Sequence, residues 1–487
     1  MRILQVIHDF LPKHRAGAEV YTDNLCRELA TRHKVYLFYA DCVQELRQYS
    51  AKRGRFGEVG YTRVINNHHI SRFRQLYDNP RMDRVFRVVL DTFRPDVVHL
   101  QHLMFHSTNY PRIAAKRGIP SVMTLHDFWP ICEQWGKRFR AYFPGELRGK
   151  HPWAAEHYGC ALICDDIQPS LCSRCFNRNP TVGVWLERNI AKARGLDRAS
   201  YLAVQTVRDL LGMDLAPQLD SLYTKMRRAG MHAASPVRRG PLIASDITAR
   251  NTYIRDALSH VHRFVSPSRF LAREMIRYGY PEKNFIVLDN GFRTDLFKNF
   301  KRTRGERVRF GYIGTVAELK GVHVLVKAFR QLDDRRASLH VFGDTGALSD
   351  YSAWLRQLAG DARVTFHGRF NPAAVADIYA QIDVLVAPSI WYENSPLVLH
   401  EAFLSHTPVI ASRLGGMPDL VEDGKTGLLF EAGNYRELGE KMRLLLDDPS
   451  ILAKIAQAAP DVMSIAENAR ALERIYEDAI NHHGGVI

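Results

Sequence analysis

The sequence predicts an α/β protein made of two parallel-sheet halves, and three observations carry that reading. Short apolar runs alternate with segments of helical spacing along most of the 487 residues. The apolar runs lack polar alternation, as strands buried on both faces of a parallel sheet do. The series also starts twice, at the amino terminus and again near residue 307. A chain of this length exceeds one ordinary domain, and two of about 200 residues or more fit it.

In order, "RILQVI" reads as the first strand and ends at His8 and Asp9. A loop with Pro12 and Gly17 leads into "AEVYTDNLCRELATR", where Val20, Leu25 and Leu29 have helical spacing. "KVYLFYA" is the next strand, and "PDVVHLQH" and "PSVMTLHD" are short buried strands with a histidine at or near each end. Open α/β sheets bind ligands beyond the carboxyl ends of their strands. His8, Asp9, His102, His126 and Asp127 are therefore expected along one edge. "HRFVSPSRFLAREMIRYGY" and "FIVLDNGF" close the first half, expected over 1–295. "RVRFGYIGTVAELKGVHVLVKAF" opens the second half, 296–465, followed by strands in "ASLHVFGD", "RVTFHGRF", "DVLVAPS" and "PVIAS". The tail, 466–487, is expected as an amphipathic helix, with Ile465, Ala469, Leu472, Ile475, Tyr476 and Ala479 near one face. Two stretches break the alternation and are expected as insertions in the first half: about 130–180, with five cysteines, and about 196–250, helical with a proline-containing linker.

Composition bounds the function. Hydrophobic residues make up 46% and charged residues 24%, as in a globular protein. No apolar run approaches the roughly 18 residues of a membrane span. The first residues lack the apolar core and cleavage site of a signal peptide, so a cytoplasmic location with reduced thiols is expected. A net charge of +15 favours anionic surroundings: nucleic acid, anionic lipid or a phosphate-bearing substrate. The charge is scattered, and dense pairs such as Arg227 with Arg228 and Arg238 with Arg239 read, each taken alone, as solvated faces ahead of binding sites.

The stretch "WYENSPLVLHEAF" places Glu393 and Glu401 eight positions apart. Ser395 suits a helix N-cap and Pro396 the first helical position. Glu393 then lies in the loop before the helix and Glu401 inside it. The N–H groups of Ser395, Leu397 and Val398 would face outward, where an anion is favoured. Such a site suits a phosphorylated, hydroxyl-rich ligand, because carboxylates accept from sugar hydroxyls. The alternative is a solvent-facing loop carboxylate beside a buried structural one. Lys320 follows a glycine-bearing turn and can neutralise a phosphate. Gly415 and Gly416, and Gly17 in the first half, allow close backbone approach.

These residues resemble the retaining glycosyltransferases of the two-Rossmann-domain type, often called family 4. The resemblance rests on "FVSPSRFL", "DNGF", "GYIGTVAELKG", "HGRF", the Glu-x7-Glu spacing of "ENSPLVLHEAF", "TPVIAS" and "GGMPDLVEDGKTGLLF", with "VVHLQHL" and "TLHDFW" in the first half. It implies two facing Rossmann-like domains (GT-B), with the last helix crossing back to the first domain. It also implies a UDP- or GDP-sugar donor held mostly by the second domain. Glu401 would bind ribose hydroxyls and Glu393 the donor sugar. Lys320 and the backbone from Ser395 through Pro396 and Leu397 to Val398, beside Asn394, would hold the diphosphate. Gly368 and Arg369 would lie near the nucleobase, Gly17 would approach the diphosphate, and His126 would sit beside the reacting sugar. Leaving-group charge would be met by Lys320 and the helix N-terminus, and no Asp-x-Asp metal motif occurs, so no catalytic divalent metal is expected. The family arginine is replaced by Thr315, with Arg293 and Arg413 as candidate substitutes, and its first glycine pair is Ala16-Gly17.

Cys160, Cys164, Cys172 and Cys175, with Cys132 upstream, suggest a structural zinc site. His151 and His157 are possible replacement ligands; an iron–sulfur cluster or uncoordinated thiols are the alternatives. "VGVWLERNIAKARGL" reads either as a basic amphipathic helix on an anionic membrane or as a packed helix. The leading expectation is transfer of a hexose to a glycan or lipid-linked acceptor in surface polysaccharide or glycolipid synthesis, by a protein peripheral to the inner membrane face. A same-fold epimerase or phosphorylase, and an inactive nucleotide-sugar or nucleic-acid binding protein, are the alternatives; nucleic acid is not the expected partner.

Overall fold

The computed structural model describes residues 1–132 apart from 14, 15, 44 and 68–72, residues 168–170, 172 and 173, and residues 242–483 apart from 304, 333, 346–348, 361 and 362. Most of the two expected insertions lies outside these residues.

The first sheet has eight strands: β1 (Arg2–Ile7), β2 (Lys34–Asp41), β3 (Ala51–Phe56), β4 (Val59–Ile65), β5 (Val97–Leu100), β6 (Ser121–Thr124), β7 (Arg263–Ser266) and β8 (Phe285–Val287). Their order is β3-β4-β2-β1-β5-β6-β7-β8, parallel except for the β3–β4 hairpin. That hairpin is absent from the sequence expectation. β3 reads "AKRGRF" and lies at the solvent-exposed sheet edge, so it carries none of the apolar signal that marks the other strands. The second sheet contains β9 (Val308–Ile313), β10 (Ala337–Phe342), β11 (Val364–Gly368), β12 (Val384–Ala387), β13 (Val409–Ser412) and β14 (Leu428–Phe430). Its order, β11-β10-β9-β12-β13-β14, is fully parallel.

Each sheet is buried on both faces. Leu4, Val6, Phe38 and Leu100 pack beneath the helix Pro80–Phe93, while Ile3, Ile7, Leu37 and Val97 pack on the opposite side. Strand order reverses at β1 in one sheet and at β9 in the other, which puts the loops after those strands at the crevice where α/β sheets hold ligands.

The last helix, Ile465–His483, packs against the first sheet, not the second. Ala469, Leu472, Ile475, Tyr476 and Ala479 are buried there as the sequence expects. The Tyr476 hydroxyl meets His99 Nδ1 at 2.6 Å, and Tyr21 donates to Asn468 at 2.9 Å. Among the described residues, no helix is long and apolar enough to cross a membrane.

Candidate functional site

A cavity of about 300 Å³ opens at the carboxyl ends of β9 and β12. Thr315, Lys320, Glu393 and the segment Ser395 to Val398 line it, and Gly17 reaches it from the first domain. Lys320 ends a tight turn, Glu318–Lys320, that follows β9. The carbonyl of Leu319 accepts from Ile390 N at 3.0 Å and fixes that turn to the loop after β12. Lys320 Nζ donates to Glu393 Oε1 at 2.5 Å and lies 5.0 Å from the Trp391 ring centroid. Ser389 Oγ also donates to Glu393 Oε1, at 3.2 Å. Glu393 Oε2 is therefore the carboxylate oxygen left for a ligand hydroxyl.

The helix that carries the second glutamate runs over Leu397–Leu404, with Pro396 at its N-cap. The sequence expectation placed the cap one residue earlier. Ser395 does not cap because its hydroxyl donates to Asp289 Oδ1 at 2.6 Å and meets His400 Nε2 at 2.8 Å. Among the described residues no side chain caps the helix and none pairs with the N–H groups of Leu397 and Val398, two residues that line the cavity. Glu401 sits one turn deeper and does not line it. Tyr379 donates to Val398 O at 2.7 Å and lies 3.3 Å from Glu401 Oε2. Burial pushes the Glu401 carboxyl up to about 7, opposed by the Tyr379 hydroxyl.

The loop before this helix is pinned by backbone. Gly416 N donates to Glu393 O at 2.6 Å, and a Cβ at Gly416 would lie 1.9 Å from Asn394 O. Only glycine permits that approach. Asn394 Nδ2 crosses to the first domain and donates to His126 O at 2.8 Å, while its Oδ1 is buried without a partner.

On the first-domain side, the expected histidines and aspartates do gather. His8 and His102 rings lie 4.5 Å apart, and His102 Nε2 is 3.2 Å from Asp127. His126 Nε2 meets Gln101 Oε1 at 2.9 Å, and the Gln101 amide nitrogen donates to Gln5 Oε1 at 2.9 Å. That direction makes Gln101 Oε1 an acceptor, so His126 carries its proton on Nε2 and leaves Nδ1 as an acceptor. Burial, then His102, pushes His126 down to about 3, with Asp127 opposing; the ring is neutral. Asp9, at the end of β1, is pushed up to about 7 by burial, with Glu19 and Asp41 adding and Lys13 opposing.

Of the expected site residues, Gly368, Arg369, Asn394, Glu401 and His126 are not among those that line the cavity, and Gly368 and Arg369 are the farthest along the sheet. They lie at the end of β11, two strands from β9, and Arg369 pairs with Asp344. Neither candidate substitute for the missing arginine lines the cavity: Arg293 pairs with Asp295 and Arg413 with Asp423. Lys320 is the only cationic side chain that lines it among the described residues. Sequence reasoning missed Asp289 and Tyr379. Asp289 stood inside the quoted "DNGF", but nothing local showed that it meets a serine 106 positions away. Of the four expected zinc ligands, Cys160, Cys164 and Cys175 lie outside the described residues, as do His151 and His157.

Residues 294–462 match the family model described as glycosyl transferases group 1, and residues 15–161 match glycosyltransferase family 4. A D-inositol 3-phosphate glycosyltransferase of Corynebacterium aurimucosum is 32% identical over 232 residues, 43% of this chain and 55% of that protein. Its namesake in Streptomyces avermitilis is 28% identical over 253 residues, 47% of this chain and 54% of that protein. The chain thus spans about half the length of the curated relatives it matches. Among solved structures, Anabaena HepE in complex with UDP and glucose is similar over 98% of this chain and 99% of its own, at 15% identity and a TM-score of 0.57. Sucrose-phosphate synthase from Thermosynechococcus elongatus is similar over 99% of both chains, at 14% identity and a TM-score of 0.61. At those identities the likeness is one of fold.

Proposed function

We propose that the chain, which belongs to the family 4-like glycosyltransferases of the two-Rossmann-domain (GT-B) type, moves a hexose from a nucleotide sugar to a glycan or lipid-linked acceptor with retention of configuration. One observation carries the reading: a cavity between the halves combines a lysine, two helix N–H groups and a carboxylate with one oxygen left for a hydroxyl. HepE was solved with UDP and glucose, and the sequence relatives are named as glycosyltransferases, so a UDP-sugar leads among donors, with a GDP-sugar next.

In this reading residues 1–295 face the acceptor and 296–465 hold the donor. Lys320 and the Leu397 and Val398 N–H groups take up the charge that grows on the departing diphosphate, in place of a divalent metal. Glu393 Oε2 accepts from a donor-sugar hydroxyl and Glu401 from the ribose, while Gly368 and Arg369 lie toward the base. His126 Nδ1 accepts from a hydroxyl beside the anomeric carbon. The acceptor oxygen attacks on the face the diphosphate leaves, the sugar–phosphate C–O bond breaks, and the acceptor proton passes to a phosphate oxygen. Surface polysaccharide or glycolipid synthesis, at the inner membrane face, is the setting this suits.

The test is a panel of UDP-, GDP- and ADP-sugars, following nucleoside diphosphate release with and without candidate acceptors. One donor should be turned over, and Glu393→Gln should abolish release without altering thermal unfolding. Unchanged release in that variant, or no binding of any donor, overturns the proposal. A second reading, a binder without turnover, is favoured by Thr315 standing where the family carries an arginine; tight binding with no release in any assay identifies it.

A further inference from the structure

A second cavity is larger than the one between the halves. It measures about 650 Å³ and lies at the opposite edge of the first sheet, where β1, β2 and β4 begin. β1 alone is six residues long, so this edge is about 20 Å from the strand ends that carry His8 and Asp9.

Register explains what faces it. Arg2 pairs with Lys34, Tyr36 with Gly60, Arg55 with Gly60 and Arg53 with Thr62. Side chains alternate along a strand, so Arg2, Lys34, Tyr36, Thr62, Arg53 and Arg55 share one face of the sheet. Farther along, the same face is covered by the helix Pro80–Phe93. That helix stops at Phe93 and leaves the strand starts uncovered. At Gly60 a Cβ would lie 2.8 Å from the Tyr36 ring, so the glycine lets that ring lie flat across the sheet. Phe93 stacks on Tyr36 with centroids 4.9 Å apart, and the Arg2 guanidinium lies 4.9 Å from the Phe93 centroid, so ring edges and the Arg2 side chain form the floor.

The rim is cationic; Arg32 is held by Glu28 and Glu473, each at 2.9 Å, and the other cations are less fully paired. Arg2 spends its guanidinium on the carbonyls of Phe93 and Arg94. Arg53 donates to Thr92 Oγ1 at 3.3 Å, and Lys34 has no ion pair among the described residues. Arg55 alone pairs with a lining carboxylate, Glu58, at 3.3 Å between exposed side chains. Exposed pairs of that kind are weak and open readily to a competing anion.

We propose that this groove is a second ligand site, for a phosphate-bearing organic molecule whose phosphate is held by Lys34 and Arg53 and whose organic part lies against Tyr36, Phe93 and the Arg2 side chain. Its volume suits a sugar phosphate or a mononucleotide. The same chemistry is offered by a soluble metabolite and by the headgroup of a phosphorylated lipid. The site stands apart from the donor cavity, shares no residue with it, and does not depend on the transfer reading.

The test uses the full chain with inorganic pyrophosphate by calorimetry, and with vesicles of phosphatidylcholine containing phosphatidic acid by sedimentation. Two classes of pyrophosphate site are expected. Lys34→Ala with Arg53→Ala should weaken one at least tenfold and spare the other, and Lys320→Ala should do the reverse. Pyrophosphate binding lost in the double variant supports a soluble ligand. Vesicle binding lost in the same variant, with pyrophosphate binding unchanged, supports a lipid headgroup. Both replaced side chains are exposed, so unchanged thermal unfolding is expected, and Lys34→Glu alone provides a second reading of the same effect. If neither probe distinguishes the variants from the parent chain, the proposal is overturned. Loss of glycosyl transfer would leave it standing, because donor release is read separately.

Discussion

The two walls of the cleft are built from different materials. The second-domain wall is mostly backbone: N–H groups at Leu397 and Val398, and a loop held by Gly416 against Glu393 and Asn394. On the first-domain side only Gly17 among the described residues lines the cavity, and the strand ends beside it carry side-chain pairs, His8 with His102, His102 with Asp127 and His126 with Gln101, with Asp9 just beyond β1. A backbone wall presents a fixed positive potential at any pH. A side-chain wall is set by burial and by its neighbours, and it can be retuned by one substitution. Under the proposed transfer, that difference would let one side meet a phosphate in every turnover while the other meets the acceptor.

The largest test of that contrast removes the one side-chain cation from the backbone wall. If Lys320 shares the leaving-group charge, Lys320→Ala should lower donor turnover by about 10²–10³-fold while nucleotide affinity falls far less. Measured nucleoside diphosphate release that drops less than tenfold would mean the backbone carries the charge alone.

The next concerns Asp9. An acid whose pKa is higher in the folded state than in the unfolded chain binds its proton more tightly when folded, so its ionisation costs stability as pH rises from the unfolded value of 3.8 through about 7. Asp9→Asn should therefore stabilise the protein by about 2–4 kcal/mol above pH 7, and the gain should shrink as pH falls toward 4. Thermal unfolding at several pH values reads it directly. A gain that does not vary with pH would mean Asp9 is not the titrating group.

Glu401, one turn behind the cavity, sharpens the comparison from the other side, because its titration falls near neutrality. Its carboxyl is pushed up to about 7, so below that pH the free protein holds a proton that ribose binding would have to displace. Nucleotide affinity should weaken about tenfold between pH 8 and pH 6, and Glu401→Gln should flatten the profile. Calorimetric titration across that range decides it.

How legible each wall was follows from its material. Proline, glycine and lysine at fixed offsets mark a backbone site, so Lys320, Glu393 and the Ser395 to Val398 segment were readable in one stretch each. Even there, the N-cap shifted by one residue because Asp289, from the first half, takes the Ser395 hydroxyl. The strand-end histidines were readable as a group, since strand ends share an edge. Their protonation was not, because the neutrality of His126 comes from burial and from His102, and Gln5 and Gln101 set its tautomer from other strands. The β3–β4 hairpin and the basic groove beside it were invisible for the opposite reason: β3 is solvent-facing and has the composition of a loop.

The smallest expected effect bears on His126 itself. With its pKa pushed down to about 3, the ring does not titrate near neutrality and cannot act as a base that switches on at pH 6 to 7. If, as proposed, it contributes a positioned acceptor, then at saturating donor His126→Gln should lower turnover by about tenfold, the worth of one hydrogen bond, by the same factor at every pH from 5 to 8. Glutamine suits the test because its amide can still donate to Gln101 from the position of Nε2 but places no acceptor at the position of Nδ1. A ratio between parent and variant that bends near pH 6.5 would show that the ring does exchange a proton in the reaction. The first-domain wall would then be chemical as well as positional, and the contrast between the two walls would lose its basis.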